Sequence, residues 1–231
     1  MKRTIPLIFV ALIIAACTTM PPEINDKYLA EKTDAESKNI FAMESKIIET
    51  NKDKQAIEQK IYDNAKLPAE TEKELNLLQD ENDVLKKQIA VYEKNKDEAN
   101  LEAKKKQLGE NEIQIKAKSA LLKYHQMEKN YNDAELELKN AELAKYIAEL
   151  NVEKSKIAAV YRDKNEEPQE EEEGFFSKLF NTKDPDDKYG YKKYSEYLNK
   201  TEQNKSKAET KFKEAEKNYL SAKEALEKLQ N

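Results

Sequence analysis

Apolar residues recur along this chain at alternating intervals of three and four, a spacing that places them on one stripe of an α-helix. The longest series runs from Leu75 to Val152 without a change of phase. A turn gives no reason for phase to be preserved, so the series predicts a single helix from about Ala69 to about Lys164. At about 1.5 Å per residue, this helix would be on the order of 140 Å long.

The composition agrees with long helices rather than with a globule. Only 38% of the residues are apolar and 38% are charged, and the chain has 3 Gly and no Trp. This is too little apolar material for a broad interior, but it is typical of helices that meet along narrow seams. Disorder is the alternative for such a composition, and the regular apolar spacing argues against it. We therefore predict an all-α fold, an elongated antiparallel coiled coil.

A first, shorter helix is predicted to precede the long one, and together they form a helical hairpin over residues 23–164. Pro21 and Pro22 suit its opening, because an N–H at that place has no helical partner. Pro68 forces a break, since proline cannot continue a helix. Folding back at Pro68 pairs the two seams in antiparallel layers: Ile61 with Leu75, Ile57 with Leu78, Ile47 with Ile89, Met43 with Tyr92, and Lys54 with Asn82.

A last helix is predicted over residues 188–231, after the capping sequence Asp184-Pro185-Asp186-Asp187. Its seam alternates alanine with large residues, and so does the facing stretch of the long helix. Two antiparallel registers place small residues against large ones. One sets Ala141 against Phe212, and the other, shifted by one heptad, sets Ala148 against Phe212. Both registers stay open.

The predicted architecture is thus a long central helix with a shorter helix folded back on each half. The alternative is a four-helix bundle in which the long helix bends near Gly109. A glycine inside a helix permits such a break, because it costs only about 1 kcal/mol relative to alanine. The unbroken phase through Gly109 favours the continuous helix.

The first residues have the pattern of an export signal: a positive start, an apolar run, and small residues that lead into the single cysteine, in Ile14-Ala15-Ala16-Cys17. This sequence resembles the lipobox of bacterial lipoproteins, and with Ile14 where the family prefers Leu it is closest to the looser, spirochaete-like form. The resemblance implies a signal peptide over residues 1–16, a lipid with acyl chains such as palmitate on Cys17, and a linker over residues 17–22. A plain secretory signal that leaves a free thiol is the alternative.

The same resemblance implies attachment to a membrane of the cell envelope through the lipid on Cys17. Thr18 rather than Asp follows the cysteine, which in enteric bacteria resembles outer-membrane sorting. The outer membrane is therefore favoured, and its periplasmic and surface faces both stay open.

The predicted long helix carries a second apolar stripe, nearly opposite the first and with a period of seven residues. Its members are Leu101, Leu108, Ile115, Leu122, Leu136, Leu143, Leu150 and Ile157. Contiguous exposed apolar surface usually marks association. We therefore expect either a face for a homo-oligomer or helical partner, at Leu136, Leu143, Leu150 and Ile157, or coverage by other parts of the chain.

An acidic loop with an aromatic segment is predicted over residues 165–187. Phe175, Phe176, Leu179 and Phe180 would share one side of a helical turn in this otherwise polar connection. The segment either closes the open end of the helical hairpin or docks a partner protein or a membrane surface.

The chain lacks the residues that catalysis needs. His125 is the only histidine, and one imidazole with a lipidated cysteine makes neither a catalytic triad nor a histidine-containing metal cluster. The few glycines provide no phosphate loop, and a net charge of −5 gives no attraction to nucleic acid. We expect a non-catalytic, lipid-anchored structural or interaction module with no cofactor, metal or small-molecule substrate. The alternative is a component of a periplasmic export or envelope-transport assembly, because long antiparallel hairpins resemble those of periplasmic adaptor proteins.

Overall fold

A computed structural model describes residues 24, 29–30, 32–165 and 191–230. These residues form four helices: α1 (Asp34–Asn64), α2 (Leu67–Asn95), α3 (Glu98–Asn165) and α4 (Tyr191–Gln230). No β-strand occurs in these ranges. The predicted all-α fold is therefore confirmed, while the ends and the partners of the helices differ from those expected.

Helix α1 begins later than predicted, at Asp34, and the segment with Pro21 and Pro22 lies outside the described residues. A reciprocal cap sets this start. The Thr33 N–H donates to Glu36 Oε2 at 2.7 Å, and the Glu36 N–H donates to Thr33 Oγ1 at 3.3 Å. The sequence Thr-x-x-Glu carries this capping box, which satisfies two backbone donors that no carbonyl can reach.

The junction between α1 and α2 is not the predicted fold-back. Only Ala65 and Lys66 separate the helices, and Lys66 keeps right-handed helical angles (φ −88°, ψ −24°). Pro68 lies in the first turn of α2, where its missing N–H costs nothing. Met43 was expected to pair with Tyr92, but it packs against the aliphatic cluster that contains Ile40 and Leu150.

The predicted single helix from Ala69 to Lys164 is also wrong, because the chain turns at Lys96. This residue has a left-handed backbone (φ 55°) and ends α2. The Asp97 N–H closes the turn on the Tyr92 carbonyl at 3.1 Å, and the Asp97 carboxylate accepts a bond of 2.7 Å from the Asn100 amide in the first turn of α3. Gly109 lies inside α3, so the alternative bend at Gly109 is wrong as well.

Helix α3 carries two seams with different partners, so an apolar series of constant phase does not require a single helix. Along residues 99–113, the series that continues from α2 is exposed, and Ile113 is 68% exposed. The second apolar stripe of α3 contacts α2 instead. Asn111 lies on this side of α3 and donates through Nδ2 to the Leu78 carbonyl at 2.9 Å. The first series becomes half-buried further along, where it faces α4, and is buried at Ala148 and Val152. The series therefore keeps its phase across the turn at Lys96 only by chance, because its first part is the seam of α2 and its later part is the seam of α3 that faces α4.

The first compact unit consists of residues 1–52 with 139–206. Its described core is an aliphatic cluster in which α1 packs against α3, formed by Leu29, Ile40, Leu150 and Ile157 with Met43 and Ile47 at its edge. Helices α3 and α4 are antiparallel in this unit. Glu142 pairs with Lys205 at 3.9 Å, and Lys145 pairs with Glu202 at 3.7 Å.

The second compact unit consists of residues 53–138 with 207–231. Helices α2 and α3 are antiparallel in it, since Lys105 pairs with Glu93 at 3.0 Å and Lys118 pairs with Glu74. Helix α4 also runs antiparallel to α3. The pairs that show this are Lys211 with Glu137 at 2.6 Å and Tyr219 with Tyr124 at 5.5 Å between ring centroids.

Neither predicted register of α4 is correct. The Phe212 ring lies 5.3 Å from the Tyr131 ring, and not against Ala141 or Ala148. Tyr131 also stacks on Tyr219 at 5.1 Å. Aromatic rings reach past their own layer and prefer one another at such distances, which a rule that pairs small residues with large ones does not represent.

Candidate interaction surface

The face predicted for oligomerisation is largely used inside the chain. Leu150 and Ile157 are buried in the aliphatic cluster of the first unit, so the prediction does not hold for these two residues. Leu136 and Leu143 are half-buried on the same helix. The reason is that both seams of α3 contact other helices of the same chain. Coverage of this face by other parts of the chain was the alternative prediction.

Two other sets of predicted site residues lie outside the described residues. These are the lipidation residue Cys17 and the aromatic segment of Phe175, Phe176, Leu179 and Phe180. Their roles remain predictions.

The structure places three large apolar side chains on the outside of α2. Leu77 is 61% exposed, Val84 is 50% exposed and Val91 is 54% exposed. They follow one another at intervals of seven residues, so they lie on one stripe, which we call the α2 outer stripe. Leu85 and Ile89 on another side of the helix are buried. The stripe lies beside the contact with α3, and Val84 also lines the polar groove between the two helices.

Helix α1 has a similar outer face in the first unit. Phe41 is 71% exposed, and Ile48, seven residues later, is more than half exposed. Each follows directly after a residue that faces the aliphatic cluster, namely Ile40 and Ile47. Sequence reasoning missed both outer faces, although their seven-residue spacing was present in the sequence as a signal.

A polar groove of about 420 Å³ lies between α2 and α3 in the second unit. Glu81 and Glu110 line it together with Lys104, so no single sign of charge dominates. The side-chain oxygens Gln88 Oε1 and Asn111 Oδ1 are buried there and accept no hydrogen bond from the described residues. An open groove of mixed charge gives no specific site for an anion or a cation.

An aromatic cluster of Tyr124, Tyr131, Phe212 and Tyr219 joins α3 and α4. The hydroxyls of Tyr124 and Tyr219 are 3.2 Å apart, within hydrogen-bond distance. Burial, and next the hydrogen bond with Tyr219, raises the pKa of Tyr124 well above its ordinary value. Burial also raises the pKa of Tyr131. Phenols that are harder to ionise are poorly suited to acid–base catalysis near neutral pH.

Other chemical features are sparse in the part of the chain that the structure describes. His125 Nδ1 is 3.6 Å from Glu128 Oε2, which is an ordinary pair within one helix. No group of three or more His, Cys, Asp and Glu side chains is arranged to hold a metal ion among the described residues. Within the same residues, no helix is both long and apolar enough to cross a membrane.

Comparisons with models of protein families, with curated proteins and with solved structures found no match to this chain.

Proposed function

We propose that this chain is a lipoprotein of the bacterial cell envelope whose helices bind protein partners and carry out no catalysis. The observation that carries the proposal is the exposure of large apolar side chains at intervals of seven on the outer faces of α1 and α2. The resemblance of residues 14–17 to a lipobox supports the anchor at Cys17.

The spacing of these side chains favours a helical partner. Single exposed apolar residues are normal on a protein surface. A regular series of them on one face is typical of a helix that packs against a second helix. Residues seven apart insert as knobs into the holes of a facing helix. Full burial of one such side chain contributes about 1.5 to 3 kcal/mol, so a few of them suffice for a specific, reversible contact.

The anchor is tested by metabolic labelling with palmitate and by fractionation of cells. Incorporation of label and recovery in the membrane fraction are expected for the native chain, and Cys17→Ala should abolish both. An unmodified native chain in the soluble fraction would overturn the anchor. Proteolysis of intact cells then assigns the face, because a surface protein is degraded and a periplasmic one is protected.

The interaction role is tested on the outer face of α1. Cells that express Phe41→Ser with Ile48→Ser should lose the protein adducts that the native chain forms on chemical cross-linking, since the apolar contact is removed. The matched control is Glu49→Ser, an exposed change on the same helix. Unchanged adducts in the double variant, with unchanged helix content, would contradict the role of this face.

A further inference from the structure

We propose that the α2 outer stripe binds the same stripe of a second copy of this chain in the antiparallel direction. This contact gives the proposed interaction role a defined partner, and it rests on that role. It differs from the oligomer face expected from the sequence, whose residues Leu150 and Ile157 are buried within the chain.

The α2 outer stripe is accessible in the described structure. Helix α3 contacts another side of α2, where Asn111 reaches the Leu78 carbonyl, and Val84 lies at the edge of the groove between the two helices. Leu77, Val84 and Val91 are each at least half exposed.

The spacing of the stripe is symmetric about Val84. Leu77 precedes Val84 by seven residues and Val91 follows it by seven. A twofold axis at Val84 therefore brings Val84 against Val84 of the second copy, and Leu77 against Val91 of the second copy. All three apolar side chains are covered at once, as in an isologous interface.

The charges between these apolar residues select the antiparallel direction. Asp80 lies between Leu77 and Val84, Lys87 lies between Val84 and Val91, and both are exposed. In the antiparallel arrangement Asp80 is level, within about one residue rise of 1.5 Å, with Lys87 of the second copy. A parallel arrangement sets Asp80 against Asp80 and Lys87 against Lys87, and like charges placed together disfavour it.

The contact is short, so self-association in solution should be weak. Three apolar layers cover less surface than the interface of a stable dimer. Confinement of a lipid-anchored chain to a membrane would raise its effective concentration and favour the dimer there.

Cysteine cross-linking tests the geometry. The full chain carries Cys17→Ser, so that each introduced cysteine is the only thiol, and is oxidised at high protein concentration. We expect Val84→Cys to form a disulfide dimer by itself, whereas Leu77→Cys and Val91→Cys do so only when the two variants are mixed. Tyr62→Cys, which is 77% exposed on α1, is the matched control and should stay monomeric.

Charge reversal tests the orientation independently. Sedimentation equilibrium of Asp80→Lys should show self-association weakened roughly tenfold, because two lysines then face each other. The double variant Asp80→Lys with Lys87→Asp should restore it. Far-UV circular dichroism shows whether the variants keep their helices, as expected for changes at exposed positions.

The outcomes separate the two proposals. Disulfide dimers of Leu77→Cys alone and Val91→Cys alone would overturn the antiparallel contact, and so would a monomer at millimolar concentration or equal cross-linking of the Tyr62→Cys control. The anchor is read by palmitate labelling and the α1 face by cross-linking in cells. Either can fail while self-association through α2 is observed, and the reverse also holds.

Discussion

The contact of α1 with α3 and the contact of α2 with α3 differ in how their buried polar groups bond. Beside the aliphatic cluster around Leu150, the buried Ser155 hydroxyl donates to the Val152 carbonyl of its own helix at 2.7 Å. In the second contact, the buried Asn111 amide instead donates across to the Leu78 carbonyl of α2. Burial of apolar area stabilises by about 25 cal/mol per Å², whereas a buried amide contributes little net free energy but discriminates between registers. The comparison suggests that the first contact supplies stability and the second supplies register.

Truncation within the aliphatic cluster tests the first half of this comparison and has the largest expected effect. Leu150→Ala should lower the free energy of unfolding by about 3 kcal/mol, because it removes buried methyl groups and leaves a cavity. Urea denaturation followed by circular dichroism measures the change. Leu220→Ala is the control, since Leu220 is half exposed, and should change little. Equal effects of the two substitutions would show that the cluster supplies no special stability.

Replacement of the buried amide tests the second half. Asn111→Leu should raise the free energy of unfolding by about 1 kcal/mol, because a buried oxygen without a hydrogen-bond donor is exchanged for apolar atoms. The same urea titration measures it, with the exposed Asn76→Leu as control. A loss of stability in Asn111→Leu would instead assign the amide a net stabilising hydrogen bond to Leu78.

The aromatic cluster adds a third kind of contact, with a hydroxyl pair. Tyr124→Phe should cost about 1 kcal/mol through loss of the hydrogen bonds with Tyr219 and Glu128, while Tyr62→Phe, at an exposed position, should cost nothing measurable.

The pKa of Tyr124 also predicts a pH dependence of stability. The folded chain holds the proton of the Tyr124 hydroxyl more tightly than the unfolded chain, in which the pKa of a tyrosine is about 10. Above that pH the unfolded state therefore binds fewer protons, and stability falls as pH rises. The fall measured between neutral pH and the alkaline range should be smaller in Tyr124→Phe than in the native chain. An equal fall would mean that other groups, such as Tyr131, account for it.

The smallest expected effect concerns the backbone of α3 close to the Asn111 contact. A Cβ added at Gly109 meets no atom within 4 Å, so Gly109→Ala should stabilise the helix by about 0.5 to 1 kcal/mol. The reciprocal change Ala103→Gly, at an exposed position in the same helix, should cost a similar amount. A loss of stability in Gly109→Ala would indicate that flexibility at this position serves the α2–α3 contact.

The buried faces of α2 and α4 were predictable from spacing alone. The seam expected on α4 is buried or half-buried at every position from Tyr194 to Leu226, and the seam on α2 is buried or half-buried from Leu75 to Tyr92. The capping box of Thr33 and Glu36 also follows a known sequence pattern, although it was not among the predictions. The outer faces of α1 and α2 were missed because a weak stripe of three residues has meaning only once its exposure is known.

The sequence by itself determined which stripes of the helices are apolar, because helical periodicity is local and repeats along the chain. It did not determine which helix covers them. That depends on where the chain turns. The turn at Lys96 depends on one residue with a left-handed backbone, and lysine is not a residue type that predicts this conformation. Only the tertiary structure decided that α3 contacts α2 on one seam and α4 on the other, because segments far apart in the sequence compete for the same apolar residues.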